Sequence, residues 1–190
     1  MSQMVVTAFE RHVQQQLDLL NILAAAFGQA GIEYRVVGGM AVFLQVEERD
    51  PMAARATKDV DVAVDRRDLA RIADAVRPFG FEYRHAAGVD MLVVAEQPRA
   101  RSAVHLLFVG EKVRPGDPEP VPGFSSPART ASGILLAPVA ALVLMKLTSY
   151  RLKDRVHLKD LDGVGLITPE IEAGLPEVLR ERLREVRATE

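Results

Sequence analysis

Residues 35–64 constrain the fold of this chain more than any other stretch. A hydrophobic run ends in the glycine pair Gly38-Gly39, a helical segment and a loop follow, and a second hydrophobic run carries Asp59 and Asp61. In a β-strand, residues i and i+2 point to the same face, so the two aspartates would lie on one face, roughly 6–7 Å apart at about 3.3 Å per residue. The valines that alternate with them would occupy the opposite face. The stretch therefore predicts a strand, a helix and a second strand.

The residue types in this stretch also indicate a chemistry. Two adjacent carboxylates repel each other unless a cation lies between them, which favours a clamp for Mg²⁺ or Mn²⁺ at Asp59 and Asp61. The Gly38-Gly39 turn lets the backbone approach a ligand and opens a helix N-terminus, which favours phosphate. Together the two features suggest nucleotidyl transfer. The simpler alternatives are a strand face with solvated charges and a tight strand-to-helix turn.

The remaining chain predicts a mixed α/β sheet followed by a helical C-terminal third. Hydrophobic periodicity, capping residues and turn residues define the elements. The predicted strands are 32–37, 59–64, 81–84, 91–95 and 103–109, and the predicted helices are 6–30, 40–46, 65–78, a long one over 138–161, one from 168, and 176–186. A proline-rich loop lies at 115–123. Residues 1–130 would form an α/β core with an N-terminal helix, and residues 131–190 a helical segment packed on it.

Composition excludes several classes of function. With no cysteine among 190 residues, disulfides, thiolate metal sites and a cysteine nucleophile are absent. A net charge of -2 provides no global basic field to concentrate nucleic acid. The chain starts without the blocks of a signal peptide, and no run reaches ~18 apolar residues. We therefore expect a soluble, cytoplasmic protein with no membrane contact.

Two motifs resemble the polymerase-β-like nucleotidyltransferase superfamily. A Val-Gly-Gly-x-Ala turn at residues 37–41 precedes an Arg-x-Thr-x-Asp-x-Asp strand at residues 55–61. The closer resemblance is to the AbiEii-type branch, the toxin halves of abortive-infection and toxin–antitoxin pairs. A downstream helix in that branch is similar to the one here that carries Lys146, Arg151 and Lys153-Asp154. The resemblance covers about residues 32–65 and 138–162.

The resemblance implies an enzyme that moves an NMP from an NTP to a hydroxyl of RNA or of a protein side chain. Divalent ions, Mg²⁺ or Mn²⁺, would bind the two aspartates, and an antitoxin would be a partner. The implied catalytic residues are Asp59, Asp61, His105 and Lys146. The implied nucleotide-binding residues are Gly38, Gly39, Met40, Thr57, Arg151 and Asp154.

Two positions depart from the superfamily pattern. A third carboxylate normally lies on a later strand, where this chain has His105, and many members have a serine in place of Met40. Histidine can act as a base near neutral pH or bind Mn²⁺, but it is a poor ligand for Mg²⁺. An alternative function is therefore a catalytically degenerate module that binds a nucleotide or a partner protein. A purely structural α/β module is a third alternative.

Other residues have two interpretations each. His105 could be a satisfied core residue, and Thr57 either a loop residue or a hydrogen-bond partner of a phosphate or an aspartate. The helix with Lys146 could present only a solvated stripe of Lys–Asp pairs. Asp65 is better explained as a helix cap than as a third ligand. Arg99 and Arg101 could guide a nucleic-acid acceptor.

Overall fold

A computed structural model describes residues 8–55, 57–95 and 103–189 of the chain. The described residues form a mixed seven-stranded sheet with helices, which confirms the predicted α/β fold with a helical C-terminal part. The strands are β1 (Tyr34–Val37), β2 (Val60–Val64), β3 (Phe81–Ala86), β4 (Val89–Val94), β5 (Val104–Phe108), β6 (Ala128–Arg129) and β7 (Leu135–Leu136). The α-helices are α1 (Ala8–Ala30), α2 (Gly38–Arg49), α3 (Leu69–Val76), α4 (Val139–Ser149), α5 (Leu152–Gly163), α6 (Pro169–Ala173) and α7 (Glu177–Ala188).

The strand order β3-β4-β5-β2-β1-β7-β6 places β2 at the centre of the sheet. It pairs antiparallel with β1 and parallel with β5. The register sets Asp61 opposite Val37 on one side and opposite His105 on the other. The end of β1 and the beginnings of β2 and β5 therefore lie side by side at the same end of the central strands.

The core lies where the helices cover the central strands. Val60, Val62 and Val64 of β2 are buried, as the alternation predicts. They belong to one buried cluster with side chains of α1, which include Leu20, Leu23, Ala26 and Phe27. The amphipathic first helix is thus part of the core. None of the described helices is long and apolar enough to cross a membrane.

The proline-rich segment after β5 has no regular structure, as predicted, but it is fixed to the sheet. Gly110 donates a backbone hydrogen bond to Val121, and Val121 donates one to Glu111, both at 2.9 Å. The buried Arg35 of β1 donates two hydrogen bonds to the carbonyl oxygen of Ser125, at 2.7 and 3.2 Å. The segment forms a wall over the sheet face that carries Asp61.

The long helix predicted over residues 138–161 is wrong. The chain forms α4 and α5 instead, because Tyr150 ends α4 in the left-handed conformation, with φ of 48°. Arg151 then begins the next helix as its N-cap, and its backbone N–H donates a hydrogen bond to the Asp154 carboxylate at 3.2 Å. The two halves of the predicted helix are consequently two separate helices that pack against each other.

Smaller differences have local causes. The helix α2 begins at Gly38 itself, and α1 passes through Gly28 and ends at Ala30. The short strands β6 and β7 are absent from the prediction; β7 pairs in parallel with β1. The Asp65 side chain accepts a hydrogen bond from the backbone N–H of Arg67 and caps a short 3₁₀ helix. Arg99 and Arg101 lie outside the described residues.

Candidate active site

The glycine pair is in close contact with other parts of the predicted site. Gly38 has φ of +69°, and a Cβ atom at this position would lie 2.0 Å from Oδ2 of Asp61. A Cβ atom at Gly39 would lie 2.5 Å from Oγ1 of Thr57 and 3.2 Å from Cε1 of His157. No side chain fits at either position without displacing these groups. The first turn of α2, whose N-cap Val37 has no side-chain cap, thereby lies directly beside a carboxylate.

The two aspartates lie at the beginning of the central strand β2 and contact basic residues. Asp59 immediately precedes β2, and its Oδ2 lies 3.3 Å from Nζ of Lys153 on α5. Asp61 lies in β2, and its Oδ1 lies 3.1 Å from Nδ1 of His105. The Asp61 side chain is 22% exposed and the Asp59 side chain 46%. Both carboxylates therefore remain accessible from solvent.

His105 lies beside Asp61 because β2 and β5 pair in parallel with these two residues in register. The hydrogen bond to Asp61 raises the pKa of His105, burial opposes that rise, and the charges of Asp61 and Asp59 support it. A larger fraction of the ring is therefore protonated near neutral pH than in a free histidine. His105 is a site-lining residue and not an isolated core histidine.

The break between α4 and α5 brings Lys146 and Asp154 together. Nζ of Lys146 lies 3.0 Å from Oδ1 of Asp154, and both side chains are buried, at 6% and 0% exposure. The same carboxylate accepts hydrogen bonds from Oγ of Ser149 at 2.7 Å and from Nε and the backbone N–H of Arg151 at 2.7 and 3.2 Å. Asp154 thus fixes the positions of two cationic side chains.

The charges of this cluster perturb each other. Burial would raise the pKa of Asp154, but the hydrogen bond from Arg151 and the charge of Lys146 hold it well below its usual range. Burial lowers the pKa of Lys146, while the charge of Asp154 and its hydrogen bond oppose that shift. Asp154 is therefore an anion that keeps a buried ammonium group charged.

Most of the predicted site residues line one cavity of about 290 Å³. Those that line it are Gly38, Gly39, Thr57, Asp59, Asp61, His105, Lys146 and Arg151. Two predicted nucleotide-binding residues do not line it. Met40 is 1% exposed and packs in the core, and Asp154 lies behind the cations that it holds. Arg55 pairs with Asp160 of α5 at 2.9 Å.

The cavity also contains residues that the sequence did not single out. His157 of α5 lies against Gly39, and Glu119 and Val121 of the proline-rich segment also line the cavity. In the sequence, His157 is one residue of a charged helical stripe, and Glu119 stands between two prolines of a loop. Neither position carries a local signal, because only the tertiary fold brings them to the cavity.

The donor set fits a hard divalent cation. Mg²⁺ in nucleotide-binding sites is commonly held by one or two protein carboxylates together with substrate phosphates, and Asp59 and Asp61 provide such a pair. Among residues 8–55, 57–95 and 103–189, no group of three His, Cys, Asp or Glu side chains is arranged as a metal site. The protein side would therefore contribute two carboxylates, with the remaining ligands coming from phosphates and water.

Comparison with solved structures identifies the fold. An antigenic nucleotidyltransferase-like protein from Paracoccidioides brasiliensis is 18% identical, with a TM-score of 0.61, and the match covers 92% of this chain and 88% of that chain. ANT(2'')-Ia in complex with adenylyl-2''-tobramycin is 12% identical, with a TM-score of 0.56, and the match covers 90% of this chain and 97% of that chain. The Megavirus polyadenylate synthase is 14% identical, with a TM-score of 0.55, and the match covers 85% of this chain and 34% of that chain. No protein-family model and no curated protein sequence matches the chain.

These likenesses show a fold shared with nucleotidyltransferases. The match to the polyadenylate synthase covers only 34% of that protein, so it concerns one part of a larger enzyme. At identities of 12–18%, these likenesses show the fold alone. None of the three matches bears on the AbiEii branch.

We expect the Gly38→Ala variant to be less stable than the wild type. The left-handed backbone conformation alone costs a non-glycine residue about 1–2 kcal/mol, and the added methyl group would also displace the Asp61 carboxylate. Gly28→Ala is the matched control, because no atom lies within 4 Å of a Cβ there and α1 is already helical. It should raise stability by up to about 1 kcal/mol. Chemical denaturation measures the free energy of unfolding of both variants. Equal changes in the two variants would contradict the close contact between Gly38 and Asp61.

We expect Asp154→Asn to lower the free energy of unfolding by about 3–5 kcal/mol, because it leaves a buried ammonium group without its counterion. The control on the same helix is Asp162→Asn, which removes a more exposed pair with Arg187 at 2.9 Å. That change should cost about 1 kcal/mol or less. Urea denaturation compares the two, and similar losses would show that the Asp154 cluster is not a tight buried network.

The contact between His105 and Asp61 should make stability depend on pH. Because the folded pKa of His105 lies above the ordinary 6.5, the contact stabilises fully below that pH, and the stabilisation is lost as pH rises through the raised pKa. The stability difference between the wild type and His105→Gln should be about 1 kcal/mol or less, largest near pH 5 and smallest near pH 9. A difference that grows with pH would contradict this contact.

Proposed function

We propose that this protein is a metal-dependent nucleotidyltransferase that moves an NMP from an NTP to a hydroxyl acceptor. The observation that carries the proposal is the close approach of Gly38 to Asp61, where a Cβ atom would lie 2.0 Å from Oδ2. It puts an uncapped helix N-terminus, which suits phosphate, directly beside a carboxylate that suits a divalent ion. The shared fold with nucleotidyltransferases supports the same conclusion.

The residues of the cavity divide the work between them. Asp59 and Asp61 would hold Mg²⁺ or Mn²⁺, which would draw charge from the phosphates and from the attacking hydroxyl. The backbone N–H groups of the first turn of α2 would bind phosphate oxygens. Lys146 and Arg151, both fixed by Asp154, would stabilise negative charge that develops on the transferred group.

The charge of Lys146 is suited to this role because it is held in a place that excludes water. Its side chain is 6% exposed, and in such surroundings an ammonium group interacts with a phosphate more strongly than in bulk water. The position is fixed before any ligand binds, so little reorganisation is needed during the reaction. Thr57 also lines the cavity, and its carbonyl oxygen lies 3.2 Å from Nε2 of His12.

The proposed acceptor is a hydroxyl group of RNA or of a protein. Two structural neighbours fit a hydroxyl acceptor, since one is a polyadenylate synthase and another was solved with an adenylylated aminoglycoside. The resemblance of residues 37–41 and 55–61 to the AbiEii branch supports a narrower proposal, a toxin that is neutralised by an antitoxin.

A transfer assay tests the proposal directly. Purified protein is incubated with Mg²⁺ or Mn²⁺, each α-labelled NTP in turn, and tRNA, total RNA, protein extract or an aminoglycoside as acceptor. We expect label transfer with the wild type and at least about a hundredfold loss with Asp59→Asn or Asp61→Asn, as for other groups that stabilise transition-state charge. The control Asp74→Asn, at an exposed position where the described residues show an ion pair with Arg77, should keep full activity.

Absence of transfer with every acceptor, or equal rates in the wild type and the two aspartate variants, would contradict the proposal. Under those outcomes the second candidate function becomes the better one. It is a catalytically degenerate module that binds nucleotide, and the observation in its favour is that His105 lies opposite Asp61 where a third carboxylate is expected. Calorimetry that shows nucleotide binding without turnover, and a gain of activity in His105→Asp, would support it.

A further inference from the structure

His157 is a polar side chain in the cavity, and the described residues provide no hydrogen-bond partner for its buried ring nitrogen. It lies on α5, it is partly buried, and its ring lines the same cavity as Asp59 and Lys146. Its Nδ1 atom is buried and has no hydrogen-bond partner among the described residues. Buried polar atoms in proteins almost always have a partner, so an unpartnered one calls for a specific reason.

The ring of His157 lies at the beginning of α2. Its Cε1 would be 3.2 Å from a Cβ atom at Gly39, so the imidazole is in contact with the second residue of that helix. The first N–H groups of α2 have no side-chain cap, because the N-cap residue is Val37. An anion that accepts hydrogen bonds from these N–H groups would therefore lie next to the imidazole ring.

Burial and the charges around the ring keep it neutral. Burial and the charge of Lys146 lower the pKa of His157 to about 4; Asp154 opposes this shift, and Lys153 and Arg151 add to it. An uncharged imidazole carries one N–H donor and one acceptor nitrogen. The ring can therefore lie among several cations without repulsion and still donate a hydrogen bond to an anion that those cations attract.

We propose that His157 is a nucleotide-binding residue whose ring N–H donates a hydrogen bond to a phosphate oxygen at the N-terminus of α2. The inference rests on the proposed function and adds a residue that neither motif contains. The alternative is that His157 only packs against Gly39 and fills space. An apolar ring of similar shape would preserve the packing but would remove the hydrogen bond to the phosphate.

The test compares His157→Phe with the more conservative His157→Asn and His157→Gln. Asn places an amide near the position of Nδ1, and Gln places one near that of Nε2. Dissociation constants are measured by calorimetry with Mg²⁺ and each of ATP, CTP, GTP and UTP, and inorganic tripolyphosphate serves as a competitor. Melting temperatures are measured without ligand, and His85→Asn is the control, because His85 contacts Asp90 at 2.9 Å and does not line the cavity.

With His157→Phe we expect binding of the NTP and of tripolyphosphate to weaken about tenfold or more, the usual size for a lost hydrogen bond to a charged group. The melting temperature without ligand should stay the same or rise, because the unpartnered buried nitrogen is removed. Either Asn or Gln should restore most of the affinity, and His85→Asn should bind as the wild type does.

Several outcomes would overturn the inference. Unchanged affinity in the Phe, Asn and Gln variants would assign His157 to packing alone, whatever the melting temperatures. Weaker NTP binding with unchanged tripolyphosphate competition, or no competition in the wild type, would place the contact on the nucleoside. If the Phe variant does not fold, His157→Leu, which also removes both ring nitrogens, replaces it: weaker binding of NTP and tripolyphosphate supports the inference, and unchanged binding overturns it. Failure of the wild type to bind any NTP would refute the proposed function itself, a result separate from all of these.

Discussion

The rest of the site depends on the buried carboxylate of Asp154. A carboxylate with no exposure is stable only if charged or polar donors surround it, and this one receives them from Lys146, Ser149 and Arg151. These donors come from α4 and from the start of α5, and one continuous helix could not bring them to the same carboxylate. The anion therefore stabilises the turn between α4 and α5, and the turn places two cations at the cavity.

The turn itself is supported from α7. Tyr150 adopts a left-handed backbone conformation that costs a non-glycine residue about 1–2 kcal/mol. Its hydroxyl group donates to the carbonyl oxygen of Arg182 at 3.1 Å and contacts Glu185 at 2.7 Å, and the guanidinium of Arg155 lies 4.1 Å from its ring centre. Contacts more than 30 residues away in sequence thus stabilise the conformation on which the cation cluster depends.

Local patterns were enough to predict the central strands and the main residues of the cavity. The alternation of valine with Asp59 and Asp61 places the two carboxylates next to a buried strand, and the glycine pair marks the point where α2 begins. Both features act over a few residues. They could be read directly, because strand periodicity and the steric needs of glycine are local properties.

What the sequence could not provide depends on contacts between distant segments. Nothing at Tyr150 signals the end of a helix, since no glycine or proline is present. In an unbroken helix Lys146 and Asp154 would lie about 12 Å apart along the axis, at 1.5 Å per residue, whereas their charged groups lie 3.0 Å apart. The Asp61–His105 contact depends on a parallel register between strands 44 residues apart. The burial of Met40 likewise follows only from how α2 packs.

The contact point at Gly39 has a consequence for how the protein is made. Thr57 and His157 both lie against this residue, although the second is more than a hundred positions further along the chain. Domains usually fold as units during synthesis, from the N-terminus onward. A growing chain that has emerged only as far as the sheet already contains the carboxylates and the glycine turn, but it has neither the cations nor the imidazole. The charged side of the cavity therefore cannot form until α5 has been synthesised and has docked on the sheet.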